Sequence, residues 1–166
     1  TYSQSNNLID FDVMSPYMVM LEEYDYPLIV HGSEPVGHQY PGKGNTGPNV
    51  LESFVTKFPD VKIVLAHWGA GLPFYELMPE ISSTFTNVLY DSAATTLLYR
   101  EKVFEVVEKI AGPKRILFGS DYPLVQPKEI IEQIIRSDFK PDVKRLILSD
   151  NAIELFSIDF DKHLKL

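Results

Sequence analysis

The sequence contains no cysteine. It can therefore form neither a disulfide framework nor a thiolate metal site, and any metal must be held by histidine and carboxylate side chains. Basic residues are also few, because 15 Lys and Arg stand against 23 Asp and Glu, a formal net charge of −8. A surface of this sign repels phosphate backbones and anionic lipids, so we expect neither nucleic acid nor a membrane as a partner.

Long apolar runs are missing as well. No run reaches the roughly 18 residues that cross a bilayer, and the polar start TYSQSNN lacks the charged and apolar regions of a signal peptide. We therefore expect a soluble protein, and the absence of cysteine fits the reducing cytoplasm. What the chain does have is apolar material, since 45% of its 166 residues are hydrophobic. That is enough for one ordinary globular domain.

Short apolar segments alternate with helical patterns along the chain. Four segments resemble strands that are covered on both faces, as in parallel sheets: PLIVH, VKIVLAH, NVLYDS and RILFGSD, at 27–31, 61–67, 87–92 and 115–121. Proline starts, glycine stops and apolar spacing predict helices before, between and after them, over 17–24, 48–58, 73–83, 98–111, 128–136, 142–148 and 151–156. This alternation predicts an α/β fold with a parallel sheet and right-handed crossovers.

Polar side chains stand where the predicted strands end. His31 ends the first strand, His67 ends the second, Asp91 lies near the end of the third and Asp121 lies just past the fourth. The carboxyl ends of parallel strands share one face, where ligands bind. Two imidazoles and a carboxylate are a ligand set for zinc, iron or manganese. Taken singly, each residue also has an ordinary role: a histidine can bond a loop carbonyl, Asp121 can cap a turn, and Asp91 is expected to bond backbone.

The segment after the first predicted strand is long for such a connection. It reads GSEPVGHQYPGKGNTGP, from Gly32 to Pro48, and is either a surface loop ordered by its prolines or a substrate lid in which Lys43 meets an anionic group. The sequence lacks the GxxxxGK[ST], GxSxG and GxGxxG motifs of phosphate loops, serine nucleophiles and dinucleotide sites. We predict substrate contacts for Trp68, which follows His67, and for four residues of the loop: Glu34, His38, Tyr40 and Lys43.

The stretches HGSEPVGHQYPGKG, IVLAHWGAGLPFYELMPE and RILFGSDYP, followed by NAIELF, resemble in that order the second half of amidohydrolase-related proteins. These are TIM-barrel metal-dependent hydrolases, and the group includes aminocarboxymuconate semialdehyde decarboxylase and related decarboxylases. The resemblance covers about 16–156. It implies that the four predicted strands are strands 5 to 8 of a TIM (β/α)8 barrel. It further implies that His31 and Asp121 bind the metal and that Asp121 can take the proton of its water. His67 would orient or activate that water, or bind a second metal as in binuclear members.

One departure from the family pattern is large. Family members begin with a strand that carries His-x-His, and no such pair occurs here. A whole barrel needs about 250 residues, so we predict that residues 1–166 are a single-domain fragment, the C-terminal part of a barrel without strands 1 to 4. Such a fragment would expose strand edges and an apolar sheet face, bind metal poorly, and need partner chains, as in a homo-oligomer.

The implied cofactor is a divalent metal, zinc first and manganese or iron otherwise, and the implied partner is a small-molecule substrate. We expect a metal-dependent hydrolase in which activated water attacks an amide, lactone or ester carbonyl, with His67 moving a proton. The alternative is a metal-dependent decarboxylase of a small unsaturated or aromatic acid. A third hypothesis is a catalytically silent α/β module that binds a ligand at its strand ends. In the two enzymatic hypotheses we expect the fragment alone to be inactive.

Overall fold

The computed structural model describes residues 10–40 and 43–159. Its centre is a four-stranded sheet of β1 (Leu28–Val30), β2 (Ile63–Leu65), β3 (Val88–Asp91) and β4 (Ile116–Leu117). Neighbouring strands are all parallel, and their order across the sheet follows the chain, β1-β2-β3-β4. The predicted parallel α/β arrangement is confirmed. The paired segments are shorter than the apolar runs, because only two residues of β4 join the ladder.

The helices are α1 (Phe11–Glu23), α2 (Pro48–Lys57), α3 (Pro79–Thr84), α4 (Thr95–Leu98), α5 (Val103–Ala111), α6 (Pro127–Arg136), α7 (Pro141–Arg145) and α8 (Asn151–Leu155). Four of them begin with proline, whose fixed φ suits the first helical turn. Single 3₁₀ segments occupy Leu72–Leu77 and Pro113–Arg115, and a π turn, Leu146–Asp150, joins α7 to α8. Within residues 10–40 and 43–159, no helix combines the length and hydrophobicity that a membrane crossing requires.

Three predicted helices differ from the observed ones. Helix α1 begins at Phe11, ahead of the predicted helix 17–24, because the Asp10 side chain accepts from the Val13 N–H and caps it. The predicted helix 73–83 is interrupted by extended backbone at Met78. Extended backbone at Tyr99 likewise separates α4 from α5 within the predicted helix 98–111. Apolar spacing continues across both breaks, which is why the pattern did not show them.

The two faces of the sheet are covered differently. One face belongs to the main core with the helices, through Leu28, Val30, Ile63, Leu65, Val88, Tyr90 and Ile116. On the other face, Val64 and Leu117 pack on Leu155 of α8 in a small separate cluster. Ile29 lies on that second face, in register with Val64, and its side chain is 58% exposed. The second face is therefore covered at one end and open at β1.

Candidate active site

Strand β2 leads directly into a tight left-handed turn at the carboxyl edge of the sheet. All five residues of 67–71 have positive φ, from 53° to 86°. Left-handed backbone costs about 1–2 kcal/mol for each residue that is not glycine, so the surroundings must impose it. Gly32 packs against the turn so closely that an added Cβ would lie 2.9 Å from the Ala70 N atom and 3.0 Å from the Ala66 carbonyl oxygen. Strain of this kind concentrates at functional sites.

Asp91 holds the start of this turn from the neighbouring strand. Its Oδ1 atom accepts hydrogen bonds from the backbone N–H groups of His67 and Ala93, both at 2.9 Å. Burial raises the pKa of the Asp91 carboxyl, and the two N–H donors oppose that change. The expectation that Asp91 bonds backbone at its strand end is confirmed. Asp91 therefore joins the end of β3 to the backbone of His67.

The imidazoles of His31 and His67 are in direct contact. His67 Nε2 and His31 Nδ1 are 3.2 Å apart, and the ring centroids are 4.8 Å apart in an edge-to-face arrangement. His67 Nδ1 lies 3.2 Å from the Ala93 carbonyl oxygen, and His31 Nε2 lies 3.0 Å from Ser33 Oγ. A carbonyl can only accept, so His67 Nδ1 carries a hydrogen. When both rings are neutral, His31 Nδ1–H then donates to His67 Nε2, and the Ser33 hydroxyl donates to His31 Nε2.

This contact disfavours a second positive charge on the pair. Burial and, next, the neighbouring His67 lower the pKa of His31 to about 4, although the Asp121 carboxylate opposes both effects. Asp121 is half-buried just after β4, with a left-handed φ of 69°. Its charge also raises the pKa of Asp91 and of Tyr40. The structure thus brings His31 and His67 together and places Asp121 within electrostatic range at the same edge.

The donor chemistry of these residues fits a divalent cation, because imidazole nitrogen and carboxylate oxygen bind zinc, manganese and iron. The bond from His67 Nδ1 to the Ala93 carbonyl also resembles the outer contact that orients metal-site histidines. Within residues 10–40 and 43–159, however, no three His, Cys, Asp or Glu side chains are grouped to hold a metal ion. The described residues therefore fit part of a metal site, with His31 and Asp121 as candidate ligands.

The predicted substrate contact of Trp68 is wrong. Its indole is 0% exposed, lies edge-on to Phe104 with ring centroids 5.0 Å apart, and donates from Nε1 to Thr95 Oγ1 at 2.8 Å. The left-handed turn directs this side chain away from the open edge and into the helix layer. Trp68 is therefore a core residue that anchors the turn from behind.

Hydrogen bonds from Lys43 connect parts of the loop that follows β1. Lys43 Nζ donates to the carbonyl oxygens of Val36 at 3.1 Å and His38 at 2.8 Å. Two of its three hydrogens are thus used inside the loop, which favours the ordered-loop interpretation over an anion contact at Lys43. The exposed His38 ring stacks on Tyr40 with centroids 6.1 Å apart. Tyr40 also bonds Ser33, so it connects this loop to the histidine pair.

Two features were not predicted, one beside the histidine pair and one at the opposite, amino end of the sheet, where Arg115 bonds the Val88 carbonyl. The first is Ser33, which is buried, faces His31 Nε2 and accepts from the Gly44 N–H at 3.1 Å. Its position two residues after a strand-end histidine is a sequence signal that could have predicted a role at the site. The second is a buried ion pair in which both guanidinium NH groups of Arg115 donate to Glu76 at 2.7 Å, with the Tyr90 hydroxyl donating to Glu76 at 2.5 Å. The partners are 39 positions apart, so no local spacing indicates this pair.

Comparison with known proteins gives consistent results. The family model for amidohydrolases matches residues 4–158. The chain is 25% identical over 185 aligned residues to 6-methylsalicylic acid decarboxylase from Penicillium expansum, covering 93% of this chain and 57% of that protein. It is 23% identical over 125 residues to 2-amino-3-carboxymuconate-6-semialdehyde decarboxylase from Dictyostelium discoideum, covering 65% of this chain and 34% of that protein.

A solved structure shows the same fold. The crystal structure of dihydroxybenzoic acid decarboxylase from Polaromonas sp. JS666, with bound manganese and the inhibitor 2-nitroresorcinol, superposes with a TM-score of 0.73 at 19% identity. The match covers 91% of this chain and 55% of that one. The chain thus spans from about a third to little more than half of the length of the proteins it matches. Because the family model extends over residues 4–158, the chain belongs to the amidohydrolase family.

Proposed function

We propose that this chain carries part of the active site of a divalent-metal-dependent decarboxylase of a small aromatic or unsaturated acid. The observation that carries the proposal is the contact of His31 with His67, 3.2 Å apart at the strand-end edge that also holds Asp121. The two curated relatives described above are decarboxylases by name. Hydrolysis, which the sequence led us to expect first, is supported only by membership of the amidohydrolase family. We therefore prefer decarboxylation as the proposed reaction.

In this proposal His31 and Asp121 bind the cation together with residues outside the described part of the chain. A divalent ion would supply Lewis-acid charge that holds the substrate carboxylate. Manganese has direct support from a similar fold, whereas zinc, our first expectation, rests on donor chemistry. The half-buried His31 ring favours the neutral form, because burial and the neighbouring His67 lower its pKa to about 4. A neutral ring is the form that can donate a nitrogen lone pair to a metal.

His67 is the proposed proton donor. Decarboxylation leaves the electron pair of the broken C–C bond on carbon, and one proton must replace the departing CO2. When His67 is cationic, its Nδ1–H remains bonded to the Ala93 carbonyl, and the Nε2–H that faces His31 Nδ1 is the proton to be given to that carbon. The bond to Ala93 and the backbone bond to Asp91 fix the ring during this transfer. A positioned imidazole of this kind contributes about 10²–10⁴-fold in rate.

We also propose that β1 to β4 correspond to strands 5 to 8 of a barrel that another (β/α) body completes. The chain spans only part of each of its relatives, and Ile29 on β1 is open. Helix α1 and the residue that follows it also present an apolar stripe at helical spacing, formed by Val13, Tyr17, Met20 and Tyr24, which are 45–61% exposed. A stripe of this size is a typical packing surface. A second copy of this chain is the competing occupant.

The function is tested with the full natural protein, freed of metal by a chelator and reloaded with Mn²⁺ or Zn²⁺. Release of CO2 from benzoate derivatives and from unsaturated acids is measured beside hydrolysis of a matched ester, amide and lactone. We expect CO2 release that the chelator abolishes and Mn²⁺ restores. Ester, amide or lactone hydrolysis without CO2 release would instead establish the hydrolase. Ligand binding that is indifferent to the chelator, without turnover, would establish a silent module.

Barrel completion has its own test. Metal content and mass in solution are measured for the 166-residue chain and for the full natural protein. We expect less than one equivalent of Mn²⁺ on the isolated chain and about one on the complete protein. A stoichiometric metal on the isolated chain, or a homodimer that binds metal fully, would contradict the need for a different (β/α) body.

A further inference from the structure

The backbone ladder between β3 and β4 ends before the residue that carries the candidate ligand. The last pair in register is Asp91 with Leu117. One further backbone bond follows, from the Ser92 N–H to the Leu117 carbonyl oxygen at 3.0 Å. The N–H of Phe118 then donates to the π turn at 2.9 Å, and not to β3. Asp121 lies four positions beyond the last pair, so the ladder itself does not fix it.

The Ser92 hydroxyl continues the pairing where the ladder stops. Its Oγ atom accepts from the Gly119 N–H at 3.1 Å and donates to the Gly119 carbonyl oxygen, also at 3.1 Å. One side chain therefore satisfies both backbone groups of a residue that lies two positions before Asp121. Ser92 is 0% exposed, and a buried hydroxyl is costly unless it is bonded in this way. The two bonds hold Gly119 against the end of β3.

Ser92 is fixed in turn by the residues that follow it. Its carbonyl oxygen accepts from the Thr95 hydroxyl at 2.6 Å and from the Thr95 N–H at 3.2 Å. The Thr95 hydroxyl also accepts from the indole of Trp68, which anchors the left-handed turn. A longer bond, from the Ala94 N–H to the Ser120 carbonyl at 3.3 Å, runs beside these contacts. The hydroxyl of Ser92 is thus attached to a rigid part of the core.

Gly119 lets β4 approach the carboxylate that fixes His67. A Cβ added at Gly119 would lie 3.3 Å from the carboxyl carbon of Asp91 and 3.4 Å from the Cβ and N atoms of Ala93. Asp91 accepts from the His67 N–H, and Ala93 supplies the carbonyl that orients the His67 ring. The contact at Gly119 therefore sets the separation between the segment that carries Asp121 and the segment that holds His67.

We propose that Ser92 is a positioning residue for Asp121. Its hydroxyl holds Gly119 in place, and the chain that follows carries the Asp121 carboxylate to the edge where His31 and His67 meet. The inference deepens the proposed function and rests on it, since it takes Asp121 to be a ligand of the divalent ion. Ser92 then influences the ion only through Asp121. Outer groups that orient metal ligands contribute about 10–100-fold to metal affinity.

The test is a double-mutant cycle on the full natural protein, freed of metal by a chelator, with Mn²⁺ affinity measured by calorimetry. Ser92→Ala removes both bonds to Gly119, and we expect Mn²⁺ to bind about tenfold more weakly. Asp121→Ala removes the candidate ligand and should weaken binding by at least about tenfold. Because Ser92 acts through Asp121, the double variant should bind Mn²⁺ within about twofold of Asp121→Ala, and should not show the product of the two losses.

Gly119→Ala perturbs the same contact from the other side. The new Cβ would press on the Asp91 carboxyl group and move β4 away from it, so we again expect about tenfold weaker Mn²⁺ binding. Ser137→Ala is the matched control, because it removes a half-buried hydroxyl that bonds the Ile134 carbonyl at the end of α6. Its Mn²⁺ affinity should equal that of the wild type. Urea denaturation of the metal-free proteins shows which variants fold, and Gly119→Ala replaces Ser92→Ala in the cycle if the latter does not.

The outcomes separate the inference from the proposed function. Losses that multiply in the double variant would mean that Ser92 has a general structural role, and they would overturn the inference, as would wild-type affinity in Ser92→Ala. CO2 release is measured on the same preparations. Coupling of Ser92 to Asp121 without CO2 release would refute the decarboxylase alone, whereas Mn²⁺-dependent CO2 release without coupling would refute the inference alone. Wild-type affinity in Asp121→Ala would refute both the ligand assignment and the inference.

Discussion

The backbone N–H of His67 lies 2.9 Å from Oδ1 of Asp91, and the same oxygen accepts from the N–H of Ala93. Ala93 in turn supplies the carbonyl that bonds His67 Nδ1. One carboxylate oxygen therefore fixes both the backbone of His67 and the group that orients its ring. Asp91 thereby determines where the His67 ring can meet His31.

Replacing Asp91 should loosen this arrangement. Asp91→Ala leaves two N–H groups without their acceptor, and we expect a loss of about 3 kcal/mol in the free energy of unfolding, since bonds to charged groups contribute about 1.5–3 kcal/mol each. Asp91→Asn keeps an oxygen acceptor and should lose about 1 kcal/mol. Urea denaturation measures both. Equal losses for the two variants would show that the charge, not the acceptor, holds His67.

Gly32→Ala should disturb the same turn from the opposite side. The added Cβ would lie 2.9–3.1 Å from three backbone atoms of residues 66–70, none of which can rotate away. We expect destabilisation of about 1–3 kcal/mol, the usual cost of overpacking, together with a shift of the His67 ring resonances in NMR spectra. Gly47→Ala is the matched control, because Gly47 has an ordinary φ of −80° and an added Cβ would meet no atom closer than 3.4 Å. A Gly32→Ala protein as stable as the control would mean that the turn can move freely.

The sequence could predict which residues lie at the carboxyl edge of the sheet, but not the backbone conformation of the turn at 67–71. Strands buried on both faces leave continuous apolar runs, and parallel strands end at one edge, so the proximity of His31 and His67 followed from the order of elements. The left-handed backbone at 67–71 has only a partial local signature, the glycines 69 and 71, because its other three residues carry side chains that rarely adopt it. The same backbone carries Trp68 into the core, which an adjacent position in sequence could not reveal. Metal-ligand sets are likewise built from distant segments, and within the described residues no three candidate ligands are grouped to hold an ion.

Trp68→Phe tests the corrected role of that side chain. The substitution removes the bond to Thr95 and part of the packing on Phe104, so we expect a loss of about 1–3 kcal/mol in unfolding free energy. Binding preference among substituted benzoates should stay unchanged, because the indole is 0% exposed. Chemical denaturation and calorimetry measure the two properties on the same preparations. A changed binding preference with unchanged stability would show that Trp68 contacts the ligand after all.

Tyr90 gives a pH-dependent prediction. Burial, followed by the Glu76 carboxylate, raises the pKa of Tyr90 well above its usual value. Below pH of about 10 the phenol is protonated in both the folded and the unfolded chain. As pH rises further, the unfolded chain releases this proton and the folded chain keeps it, so the unfolded state gains stability and folding weakens.

Tyr90→Phe should remove this alkaline sensitivity. At neutral pH the variant should be about 1.5–3 kcal/mol less stable than the wild type, because it loses a bond to a charged group. Above pH of about 10 the difference should shrink, since the wild type alone loses stability through this group. Denaturation curves from pH 7 to pH of about 11 measure the difference. A gap that stays constant with pH would show that the phenol ionises as readily in the folded state.

His31 and His67 should separate into a ligand and a proton donor when each is replaced in the full natural protein. His31→Ala removes a candidate ligand nitrogen, and we expect the Mn²⁺ content to fall by at least tenfold. His67→Asn should retain the metal and lower kcat by about 10²–10⁴-fold, the usual contribution of a positioned acid or base. Metal content by mass spectrometry and CO2 release are measured on each variant. His163→Asn lies outside the described residues and far along the chain from both, so it is the control. Loss of metal from His67→Asn would instead make His67 a ligand, and the proton would then have to come from another group at this edge, for which Asp121 is the candidate.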